Sequence, residues 1–351
     1  MKTATLTFHY VENYGALAQA YALQKKLIDL GYENDIINYR SKNLTNPVSI
    51  KALKHKGITR YLLGIIYWVV RLFRRPKFNS FRNQMNITRK LSKSQLKDLQ
   101  YDAFIVGSDQ VWNHDITRMD NAYFLDFVKD KEKRKSYAAS FGFNEFPKEL
   151  ENEYRKYLRS FSTVNVRELS SVPIVKALTN NNPEHTVDPT FLLTKEEWEL
   201  VLKKHNFQNK YLFIYQITTS NELISYAKKA KKILNLSSIS VPFPLGGIMF
   251  SKVDILAGPR EWLGYILESE FVITDSFHGV ALSIIFNKPF KVIITGAPSR
   301  IVDLLQQLNL DQHIVSGPEQ FLENMSYDWE TVNKKVDNIR NHAISQIKKS
   351  L

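Results

Sequence analysis

The sequence predicts an α/β protein of two Rossmann-like domains facing a cleft, and three observations carry that prediction. The first forty residues read as strand, helix, strand. A second series of the same kind begins near residue 211. The length of 351 residues is about twice the usual domain size of roughly 100–200.

The opening elements follow from spacing. Residues 2–8 are a short apolar and β-branched run. Residues 15–30 place Leu17, Ala20, Tyr21, Leu23, Leu27 and Leu30 at helical intervals, and Gly31 stands where a helix-ending glycine belongs. Residues 35–39 read as the second strand. Beyond a basic stretch, Ala103–Val106 is an apolar strand ending in Gly107, Ser108 and Asp109, and 136–140 is a further strand. A helix over 149–161, a strand over 163–166, a helix over 170–178 and a strand at 185–187 complete a first domain of residues 1–190, with a basic insert at 41–97.

The second domain, 191–328, repeats the alternation. Strands are expected at Tyr211–Gln216, 238–241, Phe271–Thr274 and 290–294, with helices over 221–233, 260–269, 279–286 and 300–308. Residues 329–351 have a helical pattern and are placed to cross back toward the first domain.

Composition removes several classes. Apolar residues make up 44%, with 21 Phe, 17 Tyr and 5 Trp, which is ample for two cores and incompatible with overall disorder. With 13 Gly and 12 Pro, collagen-like and low-complexity readings fail. With 0 Cys there is no disulfide framework, thiolate metal site or Cys nucleophile, in keeping with a reducing cytoplasm. The first residues, MKTATLTFHYVENYGA, have no apolar h-region before a cleavage site. The longest dense apolar run, YLLGIIYWVV at 61–70, is well short of the ~20 residues of a spanning helix. The expected location is cytoplasmic, either soluble or peripheral at the inner face of the cytoplasmic membrane.

The net charge of +13 is concentrated. Between Asp35 and Asp98 there is no acidic residue, while the window holds Arg40, Lys42, Lys51, Lys54, Lys56, Arg60, Arg71, Arg74, Arg75, Lys77, Arg82, Arg89, Lys90, Lys93 and Lys97. These charges exceed the net charge of the whole chain, so the remainder is near neutral. Such a local concentration points to a confined anionic partner, a phosphate-bearing substrate or a membrane surface. A nucleic-acid role fits worse, since no recognition motif accompanies the charge.

In open parallel sheets ligands bind beyond the carboxyl ends of strands, near a switch point. Four polar clusters follow predicted strands: His9 to Gly15, including Asn13 and Tyr14; Gly107 to Asn113, including Ser108, Asp109, Gln110 and Trp112; Val166-Arg167-Glu168; and Asp275 to Gly279. Each also reads as ordinary turn and cap chemistry. His278 is the sharpest candidate, because it follows the apolar strand FVIT and opens the next helix beside Gly279, where anions are favoured. No HExxH or paired-His spacing suggests a metal, and phosphate-loop and nucleophile-elbow signatures are absent.

Together the clusters resemble the polysaccharide pyruvyl transferase family over most of the chain. The matching segments are LTFHYVENYGALAQAYALQKKL, YDAFIVGSDQVWN, KSYAASFG, VNVRELSS, VDPTFLL, ILAGPREWLGYILESEFVITDSFHGVALSIIFNKPF and SRIVDLL. The resemblance implies a fold similar to glycosyltransferase type B. It also implies transfer of pyruvate from phosphoenolpyruvate, as co-substrate with no bound cofactor, onto two hydroxyls of a galactose-type sugar, closing a cyclic ketal. The acceptor would be a bacterial capsule or exopolysaccharide unit, free or lipid-linked. By the same resemblance Arg167 matches the arginine that holds phosphoenolpyruvate, His278 matches the acid–base histidine, and Asp275 in the same motif is expected to be catalytic with it. Arg300 follows a predicted strand and is inferred to add an anion contact. One departure matters: characterised members tend toward Asp-Arg-Leu-His-Gly, and here Ser276 stands where that Arg would be. Serine caps a helix but cannot clamp an anion with a charged fork.

Residues 51–90 carry eleven Lys and Arg around the apolar run, with Tyr61, Tyr67, Trp68 and Phe73 beside Arg71, Arg74 and Arg75. That pattern reads first as a packed helix with solvated flanks, and it also fits an interfacial helix on anionic lipid. Three functions stand: ketal-forming pyruvyl transfer, a glycosyltransferase using a nucleotide sugar, and a non-catalytic sugar-binding relative.

Overall fold

Strand β1 (Lys2–Leu6) is the centre from which the first sheet grows, flanked in parallel by β2 (Glu33–Ile36) and β3 (Ala103–Val106), with β4 (Arg134–Ser136) beyond β3. The computed structural model describes residues 1–41, 44, 58–143, 146–179, 182–218, 220–242, 252–295, 299–317, 319–320 and 324–351, with the backbone alone at 58–67 and 242. Single bridges, Lys135 to Thr163 and Ala139 to Val166, carry the pairing on to β5 (Asn165–Val166), which pairs with β6 (Glu184–His185).

Helix α1 (Tyr14–Asp29) shows why the sequence folds locally as read. The Asn13 side chain accepts from the Ala16 N–H at 3.1 Å, capping the first turn. At the far end Gly31 has φ +89°, and Tyr32 N–H returns to the Leu27 carbonyl while Gly31 N–H reaches Ile28. Between them an alanine- and leucine-rich surface is buried on nearly every side.

Contacts divide the chain into two compact units: residues Met1–Asn46, Arg82–Leu193 and Val336–Leu351, and residues Pro47–Phe81 and Thr194–Lys335. The join at 193/194 has a local cause. Phe191, Leu192 and Leu193 are fully buried in the first unit, and Thr194 starts a new helical turn through a reciprocal cap with Glu197. Helix α2 (Ile58–Arg82) groups with the second unit except for its last residue, whereas the sequence placed the whole 41–97 insert in the N-terminal domain. Lys42, Lys51, Lys54 and Lys56 of that insert lie outside the described residues.

The first unit is completed by helices α3 (Glu151–Leu158) and α4 (Ser171–Thr179). Its core joins Leu6, Phe104, Val106, Trp112, Phe124, Tyr154 and Phe161.

The second unit contains β7 (Tyr211–Gln216), α5 (Asn221–Leu234), β8 (Ser237–Pro242), β9 (Lys252–Val253), α6 (Pro259–Glu268), β10 (Phe271–Thr274), α7 (Phe277–Ile285), β11 (Phe290–Val292) and α8 (Ser299–Leu308). Its sheet is parallel, in the order β11-β10-β7-β8-β9. All six residues of β7 are buried, as expected of a central parallel strand covered on both faces. The predicted strand over 290–294 shortens to three residues. The two-residue β9 carries too little pattern to read from sequence.

Helix α9 (Trp329–Ser350) ends the chain. From Val336 onward it belongs to the first unit, where Arg340 Nε donates to the Phe191 carbonyl at 2.7 Å and Gln346 donates to Glu184 and His185 at 3.0 Å each.

Candidate functional site

The four- and five-stranded sheets each have one place where the strand order reverses, and polar clusters lie at both. In the first unit it lies between β1 and β3, in the second between β7 and β10.

At the second switch point, Asp275 leaves the end of β10 and clamps the loop leaving β7. Its carboxylate accepts the Ile217 N–H at 2.7 Å, the Thr218 N–H at 2.9 Å and the Thr218 hydroxyl at 2.6 Å, and Thr295 adds a 3.4 Å contact. Asp275 is 4% exposed, so this carboxylate is a buried acceptor serving backbone donors. Ser276 is the N-cap of α7, its hydroxyl accepting the Gly279 N–H at 3.3 Å. Gly279 permits close packing: a Cβ there would sit 2.6 Å from Thr274 Oγ1. His278 is the second residue of α7, at the positive end of the helix, against the edge of Phe277. Only 7% of it is exposed. Arg300 is the second residue of α8, half-buried, and α8 touches α7.

The first switch point is held by a buried polar network. The Ser108 hydroxyl donates to the Ala138 carbonyl at 2.8 Å and lies 3.1 Å from Asp188 Oδ2. Its N–H donates to Gln19 Oε1 at 3.2 Å. Gly107 has φ +112°, and a Cβ would fall 2.2 Å from the Tyr137 carbonyl oxygen, so only glycine fits. Asp109 follows at φ +72° and is half-buried, as is Gln110. Asn113 caps the turn at His114–Thr117, and Gln110 accepts from its amide at 2.8 Å. Tyr14 and Gly15 are buried in the first turn of α1.

Two expected binding residues take other roles. Trp112 is fully buried: its indole N–H donates to the Tyr123 carbonyl at 3.0 Å and its ring packs on Phe124, Phe141 and Phe161. It is a core residue, because the aromatic side chains brought to it from 124, 141 and 161 leave no face for a ligand. Arg167 sits in a buried ion-pair cluster. Its guanidinium lies 3.0 Å from Asp188, 3.1 Å from Glu168 and 4.0 Å from Asp109, with 2% of the side chain exposed. Burial alone would lower its pKa, but Glu168, Asp188 and Asp109 raise it above its ordinary value, so it stays charged.

Three residues escaped sequence reasoning. Asp188 ties Arg167, Ser108 and Thr190 together, and its only sequence signal was its place in VDPTFLL. Arg82 donates to the carbonyls of His9, Tyr10 and Val11 at 2.9–3.0 Å and so fixes the loop between β1 and α1; among so many basic residues nothing marked it. Thr218 carried no signal at all. His9, in the loop after β1, is 1% exposed between the Thr7 carbonyl and Asn38, and burial lowers its pKa to about 4. Among the described residues there is no group of three His, Cys, Asp or Glu arranged to hold a metal ion, and no helix long and apolar enough to cross a membrane.

Two parallel sheets with these strand orders define a protein of the glycosyltransferase type B-like α/β class, and solved structures bear this out. Arabidopsis thaliana UGT89C1 complexed with UDP-L-rhamnose is similar at 10% identity with a TM-score of 0.52, covering 99% of this chain and 98% of that one. The UDP-GlcNAc 2-epimerase of Neisseria meningitidis bound to UDP-GlcNAc is similar at 12% identity and TM-score 0.52, covering 100% and 99%. The UDP-GlcNAc 2-epimerase of Methanocaldococcus jannaschii gives 14% and 0.52, covering 97% and 93%. At such identities the likeness is one of fold. The comparison with curated proteins found no match. The family model described as polysaccharide pyruvyl transferase matches residues 13–295, and the chain belongs to that family of transferases.

Proposed function

We propose that the protein transfers a pyruvyl group from phosphoenolpyruvate to two hydroxyls of a galactose-type sugar, closing a cyclic ketal on a bacterial surface polysaccharide or its lipid-linked precursor. The observation that carries this reading is family membership over residues 13–295, a span that includes the clusters at 107–113 and 275–279. Protonation of the methylene carbon of the enol phosphate leaves an oxocarbenium-like centre at the neighbouring carbon. One sugar hydroxyl adds there and loses its proton, inorganic phosphate departs carrying one proton, and the second hydroxyl closes the ring with loss of its own. His278 is our candidate for moving these protons, and the N-terminus of α7 with Arg300 for attracting the donor's anionic groups. Asp275 acts as a positioning residue, holding the 217–218 loop beside α7. Asn13, Ser108, Gln110 and Asn113 shape the first switch point, where Asn13, Asp109 and Gln110 remain partly accessible.

The nucleotide-sugar reading is favoured by one observation, that two of the similar structures were solved with UDP-L-rhamnose and UDP-GlcNAc. Incubation with a galactose-type acceptor separates the two. Inorganic phosphate release from phosphoenolpyruvate, with the acceptor gaining a ketal, supports pyruvyl transfer. Nucleoside diphosphate release from a UDP-sugar, with phosphoenolpyruvate inert, would replace it with glycosyl transfer.

A further inference from the structure

Helix α2 presents one apolar face inward and a second one outward. Val70, Arg74, Phe78 and Phe81 are buried, with the Arg74 guanidinium 5.3 Å from the Phe78 ring centroid. Lys77 lies 3.4 Å from Glu261 of α6. On the opposite side Trp68, Val69, Leu72 and Phe73 are 50, 40, 46 and 65% exposed. The other exposed large hydrophobic residues, such as Ile28, Leu169, Leu200, Ile233 and Leu256, are scattered singly through the sequence, which is ordinary for a protein surface. The α2 stripe is contiguous, and a contiguous stripe needs a cover.

We propose that this face of α2 is an interfacial docking surface for an anionic lipid bilayer. The charges around it select that occupant. Arg75, exposed, lies one turn from Leu72 on the same line as Trp68, and half-buried Arg71 borders it; no Asp or Glu occurs anywhere between Asp35 and Asp98. Apolar side chains dipping below the headgroups with arginines level with the lipid phosphates is the arrangement of a helix lying in the interface plane. A second copy of the chain suits the stripe less well, because the stretch between Asp35 and Asp98 that carries it offers a partner copy basic residues and no acid. Arg74, grouped with these two by sequence alone, is turned into the protein and takes no part. The side chains of 58–67, including Tyr61 and Tyr67, lie outside the described residues.

Trp68 supplies the test. Trp112, Trp198 and Trp262 are fully buried and Trp329 is half-buried, so Trp68 is the most exposed indole of the described chain and the part of the emission that Trp68→Phe removes reports on the stripe. The full chain is mixed with vesicles of pure phosphatidylcholine or of phosphatidylcholine with phosphatidylglycerol, and both flotation and fluorescence are read. The expected result is flotation with the phosphatidylglycerol vesicles only, a blue shift that Trp68→Phe removes, and release at 1 M salt, where the screening length is ~3 Å. Leu72→Glu with Phe73→Glu abolishes binding, and Arg71→Gln with Arg75→Gln weakens it about 30-fold, at roughly 1 kcal/mol for each charge. Unchanged circular dichroism melts show that the variants fold. The proposal is overturned by absence of flotation with anionic vesicles, by equal flotation with neutral ones, or by binding that Leu72→Glu with Phe73→Glu leaves intact. It is equally overturned if light scattering shows a dimer that Phe73→Glu dissolves and no vesicle binding accompanies it.

Discussion

Asp275 holds Thr218 by two bonds, from the backbone N–H at 2.9 Å and from the hydroxyl at 2.6 Å, and so joins the ends of β10 and β7 across the point where the strand order reverses. The same carboxylate takes the Ile217 N–H at 2.7 Å. Hydrogen bonds to an ionised acceptor contribute about 1.5–3 kcal/mol each. Asp275→Asn replaces one acceptor oxygen with an NH2 group facing a backbone donor. It should lower the thermal midpoint of the full chain by several degrees and speed amide exchange at Ile217 and Thr218. If exchange there is unchanged, the clamp does not govern the loop.

His278 sits two residues beyond the N-cap of α7, and Ser276 fills that cap. If His278 moves the protons of pyruvyl transfer, His278→Ala should lower turnover per folded molecule by about 10²–10⁴-fold, the folded fraction being read from the melting curve. Steady-state phosphate release checks this, and a variant with normal kcat would remove His278 from the chemistry.

Arg167 was read from sequence as the donor's anchor, and the structure pairs it with Asp188 and Glu168 instead. Removing one member of a buried ion pair typically costs 3–5 kcal/mol, because the partner is left charged and dry. Arg167→Met should therefore destabilise the first unit by about that amount. Arg167→Lys should recover part of it, since an ammonium keeps the charge but loses the planar fork. Urea unfolding of both variants measures the effect. A near-neutral Arg167→Met that no longer binds phosphoenolpyruvate by calorimetry would restore the anchoring role.

How much of this was legible depended on where each residue's partners lie. Helix α1 carries its own signals, with the Asn13 cap and Gly31 at the end, and both ends fall within two residues of expectation. Strands β7 and β10 are apolar runs long enough to announce themselves and match to the residue. The side chains at the switch points were misread when their roles depend on distant chain. Trp112 follows a strand end among polar neighbours, which looks like a binding position, yet the rings that bury it come from 124, 141 and 161. Arg167 looks like a cleft arginine until Asp188 is brought to it. The membership of α2 was equally hidden, since Val70, Phe78 and Phe81 are apolar at helical spacing but nothing local says which unit they face.

Acid should act on both units through one buried imidazole in each. His9 in the first unit and His313 in the second are 1% and 0% exposed. Burial lowers both from 6.5 to about 4, and Lys291 adds to the effect at His313. In the unfolded chain these rings take up a proton near 6.5, whereas in the folded protein they do so only near 4. Between those values the unfolded state binds more protons, so stability is complete above about pH 6.5 and drains as the pH falls toward 4, by at most on the order of 3 kcal/mol per ring. Carboxylates contribute mainly below pH 5, which leaves the interval from 6.5 to 5 to the histidines. Urea midpoints across that interval should fall steadily for the wild type. His9→Gln and His313→Gln each remove one titrating ring, so each should flatten the profile, the first through the stability of the first unit and the second through that of the second. A wild-type profile that is level from pH 6.5 to 5, or one that neither variant changes, would show that these imidazoles reach water more easily than their burial implies.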